Sequence, residues 1–306
     1  MGKSHRNKAK AARRLSSASS GNGSKSNANR LPPSPPPSEP ARDVTYHDPD
    51  VGFSTAVSYC PITAERPQAV RAGEKVPKPA IARANLAVSA ERPEGSKESK
   101  KDGLRDMTVL QQHILFWDRD RDGEIYPWHT YRGFRDLGFN ILLSLLSVFI
   151  IHGSFSYPTR LAFSLWPDPL FRVFVGGIHK AKHGSDTGVY DLEGRFVPQK
   201  FEDMFSKWDK SDSGSLSGRE LWDMIRGNRL VADPFGWFAA VFEFGTTWLL
   251  LQEDGRVLKE DLRRTYDGSI FWKIKEAREK GKGWHKGYGL RNFLGFAEQQ
   301  VKLYRE

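Results

Sequence analysis

The chain of 306 residues has a single cysteine, Cys60, and its N-terminus lacks the apolar core of a signal peptide. One thiol cannot form an intramolecular disulfide, which fits a reducing compartment. Because no apolar leader is present, we expect no cleaved secretory signal. Long apolar runs are also scarce. The most apolar stretch, residues 141–151, covers eleven residues, whereas a helix needs about 20 to span a bilayer.

Acidic residues are scarce at the N-terminus, where residues 1–43 hold nine lysines and arginines against two acids. A basic tail attracts an anionic partner, either nucleic acid or an anionic membrane surface. No motif or aromatic-interleaved basic patch typical of nucleic-acid binding is present, so we expect no nucleic-acid partner. A membrane surface and a merely solvated tail remain the alternatives. Ser, Asn, Lys and Pro dominate residues 1–45, and such a segment buries too little apolar surface to fold, so we predict disorder.

The rest of the sequence predicts a mainly α protein. Residues 46–105 carry several prolines and are predicted to be mostly irregular. Helices are predicted over 107–117, from 131, over 201–208 and 216–225, and over 233–251, where Asp233 is the N-cap and Pro234 lies in the first turn. We expect a helix–loop–helix unit at 106–137, a hydrophobic segment at 138–172 and a helical C-terminal region at 173–306.

The segment from Asn140 to Thr159 carries no formal charge and is the candidate for membrane association. Its apolar part is followed by three prolines, Pro158, Pro167 and Pro169. Since prolines favour a turn, we predict a hairpin that enters one leaflet and returns. The alternative is a buried core helix.

An acidic loop at residues 118–129 has the spacing of an EF-hand calcium site, with a glycine at the sixth position, Gly123, and an apolar residue at the eighth, Ile125. The twelfth position, usually a bidentate glutamate, is His129, which predicts weakened calcium binding or a shell completed by another carboxylate. The predicted calcium ligands are Asp118, Asp120, Asp122 and Glu124.

A second loop of the same spacing runs from Asp209 to Glu220, with serines at its third and fifth positions. We predict that it is a degenerate EF-hand with weak or no calcium affinity. Because paired EF-hands meet through the eighth position, we expect Ile125 and Leu216 to form a shared two-strand ladder.

Several longer runs of sequence recur in the same order as in a known family. These runs are Leu110–His113, Ile125–Trp128, Tyr131–Phe134, Leu137–Asn140, Ile178–Lys180, Lys182–Asp186, Tyr190–Asp191, Glu193–Phe196, Gly227–Arg229 and Tyr266–Ser269. Through them the chain resembles the caleosins, from about Ala56 to Tyr266, and we expect a fungal-type member.

The resemblance implies a calcium-binding EF-hand beside a proline-containing membrane hairpin, the proline knot. It implies residence on lipid droplets or the endoplasmic reticulum, facing the cytosol, with membrane lipids as partners. An oligomer is possible, but the sequence does not determine the oligomeric state. It also implies a haem b peroxygenase that uses hydroperoxides to oxidise unsaturated fatty acids. Two histidines hold the haem iron in the family, and they match His113 and His183, which are therefore the predicted catalytic residues.

Iron in such a site is held by His, Cys thiolate or Tyr. Cys60 lies before a proline in a segment predicted to be irregular, which disfavours a thiolate ligand. Of the histidines, His113, His179 and His183 remain as candidates; the resemblance selects His183, and His179 is kept in reserve. Glu243, alone on an apolar helix, is either a proton carrier or an inert surface group.

Three functions are compatible with the sequence. The first is a haem peroxygenase acting on unsaturated fatty acids. The second is a structural lipid-droplet protein that responds to calcium without catalysis. The third is a soluble calcium sensor, which requires residues 141–151 to be core.

Overall fold

The computed structural model describes residues 69–101 and 103–281, and these are mainly helical. The predicted tail at 1–45 and Cys60 lie outside the described residues. The described part of the irregular N-terminal segment contains only α1 (Val70–Lys75) and a 3₁₀ turn (Glu98–Lys100).

From residue 109 the chain repeats one pattern: a helix, a loop that ends in a short strand, and a second helix. The first lobe, residues 109–181, contains α2 (Val109–Ile114), β1 (Glu124–Ile125), α3 (Pro127–Asp136), α4 (Ile141–Arg160), β2 (Val173–Phe174) and a 3₁₀ helix (Val175–Ala181). The second lobe, residues 198–266, contains α5 (Pro198–Trp208), β3 (Ser215–Ser217), α6 (Gly218–Gly227), α7 (Pro234–Leu251), β4 (Arg256–Leu258) and α8 (Lys259–Tyr266), and α9 (Ser269–Glu279) follows it. The mainly α prediction is confirmed.

Helix starts follow local capping chemistry. The side chain of Thr108 caps α2 in a reciprocal capping box with Gln111, which satisfies two backbone donors that the first turn leaves free. At α7 the carboxylate of Asp233 accepts a hydrogen bond from the backbone N of Gly236 at 2.9 Å, and Pro234 occupies the first turn. The predicted cap of this helix is therefore confirmed.

The predicted ladder between the two loops is wrong. Ile125 pairs with Val173 within the first lobe, and Leu216 pairs with Val257 within the second. Each loop finds its antiparallel partner in the helix–strand–helix unit that follows it in the chain. Those partner loops lack the acidic spacing that would have identified them from the sequence.

Helix α4 buries polar side chains and exposes apolar ones, which is the reverse of an ordinary surface helix. Apart from Leu143, its buried residues are polar, whereas Leu142 and Phe149 are 68% and 79% exposed. The hydroxyls of Ser144, Ser147 and Thr159 each donate to a carbonyl one turn earlier, at 2.8, 2.8 and 2.7 Å. Pro158 lies in the last turn and does not end the helix. The helix, at 20 residues, is long and apolar enough to cross a membrane by length and composition.

A histidine of α4, His152, holds the segment that follows this helix against the first lobe. Nδ1 of His152 donates to the carbonyl oxygen of Phe171 at 2.6 Å, and its Nε2 lies 2.8 Å from the hydroxyl of Thr130. These bonds hold α4 against α3 and against the chain that precedes β2. His152 is thereby a structural residue.

A buried arginine fastens the N-terminal segment to α8. Arg263 is 1% exposed and donates to the carbonyl oxygen of Ala87 at 2.6 Å and to Ser96 Oγ at 3.0 Å. Its charge is balanced by Asp267 at 3.2 Å and Glu260 at 2.8 Å. A buried guanidinium is stable only when it is paired and hydrogen-bonded, so this network fixes the position of α8.

Candidate active site

A cavity of about 260 Å³ is lined by both lobes. Much of its wall is aromatic and aliphatic and comes from α4, α7 and α9, through Ile151, Phe155, Phe235, Phe238, Phe242 and Phe271. Phe235 and Phe238 are also 42% and 53% exposed, so the cavity reaches the surface beside the first half of α7. An apolar cavity with a few polar groups is the usual form of a ligand site.

His113 projects from α2 into this cavity and is held by a backbone carbonyl of the other lobe. Its Nδ1 lies 2.6 Å from the carbonyl oxygen of Thr265. Because a carbonyl can only accept, Nδ1 carries the hydrogen and Nε2 keeps a free lone pair. Burial lowers the pKa of His113, and the Thr265 carbonyl and the charge of Glu243 only partly offset it. The ring is therefore neutral at pH 7 and presents a nitrogen ligand.

The chain after α8 is pressed against His113. Gly268 adopts φ +71°, and a Cβ on it would lie 2.7 Å from the carbonyl oxygen of Gln112 and 3.0 Å from the Cα of His113. Only glycine tolerates both the left-handed backbone and this close approach. The α8–α9 turn therefore fixes α2 at the residue that enters the cavity.

His183 follows the 3₁₀ helix of the first lobe and lines the same cavity as His113. Its Nε2 is 3.7 Å from Oε2 of Glu243, the only formally charged residue of α7. Its buried Nδ1 has no hydrogen-bond partner in the described part of the chain. Burial lowers the pKa of His183, but the polar contact and charge of Glu243 outweigh it and the net pKa is raised.

The structure separates the two remaining histidine candidates. His179 lies in the 3₁₀ helix that ends at Ala181, and it is not among the residues that line the cavity, whereas His183 is. The glycine-rich sequence around them indeed forms no α-helix. The cavity thus brings together His113 and His183, and their roles stay predictions.

Two phenols in the cavity wall were not singled out from the sequence as site residues. The hydroxyl of Tyr190 donates to the carbonyl oxygen of Tyr266 at 2.6 Å, and the hydroxyl of Tyr266 lies 2.8 Å from Thr187 Oγ1. Burial raises the pKa of both tyrosines. They therefore stay protonated, which disfavours phenolate ligation of a metal. Both lie in the family-like runs, but a motif does not show which way a side chain faces.

The first acidic loop gathers three carboxylates. Ligand oxygens of Asp118, Asp120 and Asp122 lie within 4.8 Å of one another. Asp118 is buried, and its Oδ1 has no hydrogen-bond partner among the described residues. Burial raises the pKa of Asp118, and Asp122 and Asp120 add to the rise. This is the arrangement expected of carboxylates that bind a hard cation.

Two further residues of this loop, Glu124 and His129, differ from the usual calcium ligands. The carboxylate of Glu124 lies 2.6 Å from Nη1 of Arg172, so it is committed to an ion pair. Its role as a calcium ligand stays a prediction. His129, at the twelfth position, is buried with its Nε2 3.8 Å from Oδ2 of Asp120. The usual bidentate oxygen pair is therefore replaced by imidazole.

The residues present fit both groups that the sequence implies. A haem needs an apolar cavity and a neutral imidazole, and His113 is held in the tautomer that leaves Nε2 free, with the orphaned Nδ1 of His183 in the same cavity. Outer hydrogen bonds of this kind commonly orient histidine ligands. A calcium ion needs clustered oxygen atoms, which Asp118, Asp120 and Asp122 provide.

Comparison with known proteins gives a consistent set of relatives. The family described as "Caleosin related protein" matches residues 105–275, a region that holds both lobes and the cavity. A protein named peroxygenase from Lilium longiflorum is 39% identical over 236 residues, which cover 76% of this chain and 95% of the relative.

Two relatives from Arabidopsis thaliana also match. One, named probable peroxygenase 4, is 40% identical over 172 residues, 55% of this chain and 86% of the relative. The other, named probable inactive peroxygenase-like protein, is 35% identical over 92 residues, 30% of this chain and 45% of the relative. No solved structure matches the chain.

Proposed function

The chain belongs to the caleosin family, and from this we infer that it is a peroxygenase, an oxidoreductase that moves one oxygen atom from a hydroperoxide to an organic acceptor. The hydroperoxide leaves as an alcohol, and the acceptor gains the oxygen as an epoxide at a double bond or a hydroxyl at a C–H bond. The observation that carries this function is the presence of two imidazoles in one apolar cavity. A fungal-type member stays a prediction, because the relatives reported above are plant proteins.

His113 and His183 are the residues that would hold a haem b iron in this cavity. When bound, the haem supplies the cleavage of the peroxide O–O bond and the transfer of oxygen. Thr265 holds the His113 ring so that Nε2 stays free. Glu243 places a carboxylate 3.7 Å from His183 Nε2, which favours a hydrogen on that nitrogen and leaves the lone pair of Nδ1 for a ligand bond.

The rest of the cavity supports an acyl substrate. Its phenylalanines exclude water and favour a long hydrocarbon chain over polar compounds. Tyr190 and Tyr266 stay neutral in the wall, so they place no charge beside a bound hydrocarbon chain. Unsaturated fatty acids and their hydroperoxides are therefore the proposed substrates.

The lipid surface is the proposed partner of the first lobe. Helix α4 packs a polar face on the protein and exposes Leu142, Leu145 and Phe149. Because the folded lobe covers one face of the helix and the other face is apolar, we place it along a membrane or droplet surface, with the apolar face toward the lipid. The cavity opens beside Phe235 and Phe238 and includes Phe155 of α4, which lets an acyl chain pass from lipid to the site.

Calcium is the proposed second cofactor, held by Asp118, Asp120 and Asp122. Arg172 pairs with Glu124 at 2.6 Å and with Asp168 at 2.6 Å. This pair of bonds ties the calcium loop to the segment that follows α4. Occupancy of the loop would therefore influence how the lipid-facing segment is held.

The test uses three histidine variants of the full chain, His113→Ala, His183→Ala and, as the matched control, His179→Ala. We expect the first two to lose the Soret band and to oxidise oleate with cumene hydroperoxide about 100-fold more slowly or worse, because loss of a ligand exceeds the 10- to 100-fold cost of losing its outer partner. His179→Ala should keep both properties. Retention of pigment and activity in both cavity variants would overturn the assignment, and a colourless wild type that still binds droplets would leave only a structural droplet role.

A further inference from the structure

The second loop, residues 209–220, has the spacing of a calcium site but is already filled with hydrogen bonds. Asp209 is 4% exposed at its side chain and accepts from Ser211 and Ser213 at 3.1 Å each and from the backbone N of Gly214 at 2.7 Å. In a metal-binding loop of this spacing the first, third, fifth, seventh and twelfth positions supply oxygen to the ion, the seventh through its carbonyl. These positions are Asp209, Ser211, Ser213, Ser215 and Glu220.

An arginine from the neighbouring strand faces those oxygens. The chain between α7 and β4 is a tight turn, in which Asp254 and Gly255 both have positive φ and the backbone N of Glu253 donates to the carbonyl oxygen of Arg256 at 2.8 Å. Asp-Gly is the usual sequence of such a hairpin turn. Because the turn is so short, Arg256 begins β4 directly opposite Ser217 in the ladder.

A single nitrogen of Arg256, Nη2, contacts all five loop positions. Its distances are 2.6 Å to Ser213 Oγ, 2.9 Å to the carbonyl oxygen of Ser215, 3.1 Å to Ser211 Oγ, 3.2 Å to Glu220 Oε2 and 3.7 Å to Asp209 Oδ1. A second nitrogen, Nε, donates to Ser215 Oγ at 2.6 Å. Three of the five Nη2 contacts, those to Ser215, Ser211 and Glu220, fall within ordinary hydrogen-bond lengths, and only the contact to Ser213 is as short as the 2.3–2.6 Å typical of calcium.

We propose that the guanidinium of Arg256 occupies the cation position of the second loop, so that this lobe carries its own internal cation and does not bind calcium. The charges agree with this assignment. The loop supplies two carboxylates, Asp209 and Glu220, and neutral serines in place of two further acids, which suits one monovalent cation with several N–H donors better than a divalent ion.

The consequence is a division between the lobes. The second lobe is held in its cation-filled arrangement at every calcium concentration, because its cation is covalently part of the chain. Only the first lobe, where Asp118 Oδ1 lacks a partner among the described residues, is left to respond to calcium. Removing Arg256 should convert the second loop into a calcium site.

The experiment measures calcium binding by isothermal titration with the full chain in a background that disables the first loop, Asp120→Ala. Three proteins are compared: the background alone, the background with Arg256→Ala, and a control with Arg229→Ala. Arg229 stacks on Trp222 in the same lobe, with Cζ 5.8 Å from the ring centroid, so its loss removes one positive charge without touching the loop. We expect only the Arg256→Ala protein to bind one calcium per chain, in titrations that reach about 10 mM calcium, because weak sites have dissociation constants of about 0.1–1 mM.

A fourth protein with Ser213→Asp added to Arg256→Ala should bind calcium at least about tenfold more tightly, because affinity rises with ligand charge. No calcium binding in either Arg256→Ala protein would overturn the proposal, as would binding by the background protein with Arg256 in place. If Arg256→Ala does not fold without calcium, thermal melting decides: calcium that restores the folded state supports the proposal, and calcium that fails to restore it overturns it.

Discussion

The loops at 118–129 and 209–220 share one spacing and have opposite surroundings. In the first, three carboxylates converge with a buried oxygen that lacks a partner among the described residues. In the second, Asp209 and Glu220 are met by serines, backbone nitrogens and Arg256. The difference comes from the unit that follows each loop. The first is followed by a long segment that supplies β2 and no cation to the loop centre; the second is followed by a tight turn that places an arginine there.

The same contrast extends to the helices that lead into those partner strands. In the first lobe α4 turns aliphatic side chains to the surface, whereas in the second lobe α7 contributes much of the cavity wall. In the function proposed above, the first lobe therefore binds lipid and calcium, and the second lobe carries its own internal cation. Four changes can break or sharpen this contrast.

The largest effect should come from the exposed face of α4. The double variant Leu142→Gln with Phe149→Gln removes side chains that are 68% and 79% exposed, and the control Leu192→Gln with Val231→Gln changes residues that are 87% and 93% exposed elsewhere. Each apolar side chain buried in lipid contributes about 1.5–3 kcal/mol, so the α4 variant should bind vesicles or droplets roughly 100-fold more weakly. Flotation with phospholipid-coated triolein droplets measures this. Equal loss in both variants would contradict a lipid-facing α4.

The second effect concerns the join between the lobes. Gly268→Ala combines a left-handed backbone with a clash on Gln112 and His113, whereas the control Gly281→Ala has nearly the same φ, +70°, and open space around it. The left-handed strain costs about 1–2 kcal/mol in both, and the clash adds to it only at Gly268. Urea unfolding should show Gly268→Ala as the less stable by about 2 kcal/mol or more, with weaker haem retention. Equal stability of the two variants would show that α2 is not pinned there.

Part of the fold and of the site could be predicted from the sequence. Spacing alone identified the Asp118–Asp122 cluster, and the cap at Asp233 with Pro234 followed from local chemistry. The family-like runs supplied His113 and His183, which share one cavity. The sequence did not supply the strand partners of the two loops, because β2 and β4 follow segments without an acidic pattern.

Contacts made by backbone atoms could not be predicted from the sequence either. The carbonyl of Thr265 that holds His113 is present at every residue, so no side-chain pattern signals it. Arg256 was missed for a related reason: an isolated arginine in a short turn is common, and only the ladder register places it over Asp209 and Glu220. Long-range pairings decide both cases.

The third effect, about tenfold, tests the first loop. His129→Glu restores a carboxylate at the twelfth position, where calcium normally takes two oxygens, and should tighten calcium binding by about tenfold or more. His129→Gln is the control, since it supplies one neutral oxygen and should change affinity less. Isothermal titration compares the three proteins. Unchanged affinity in His129→Glu would mean that the loop geometry excludes a ligand at this position.

The smallest effect is a pH dependence of the segment after α4. The hydrogen bond from Arg172 is the largest cause of the lowered pKa of Asp168. A carboxyl whose folded pKa lies below its unfolded value, near 3.9, stabilises the fold above that value and loses the contribution as the pH falls through the folded pKa. Wild type should therefore be more stable than Asp168→Asn at pH 7, and the gap should close below about pH 4. Urea unfolding from pH 3 to 7 measures it, and a gap that is constant with pH would contradict the pairing.

The last turn of α8 has a genetic consequence. Its carbonyls at Thr265 and Tyr266 hold the rings of His113 and Tyr190, and a helix leaves the carbonyls of its final turn without partners inside the helix. Every amino acid brings the same carbonyl, so no codon change at 265 or 266 can delete the acceptor. The orientation of the His113 imidazole therefore depends on where α8 ends and not on which side chain stands at 265.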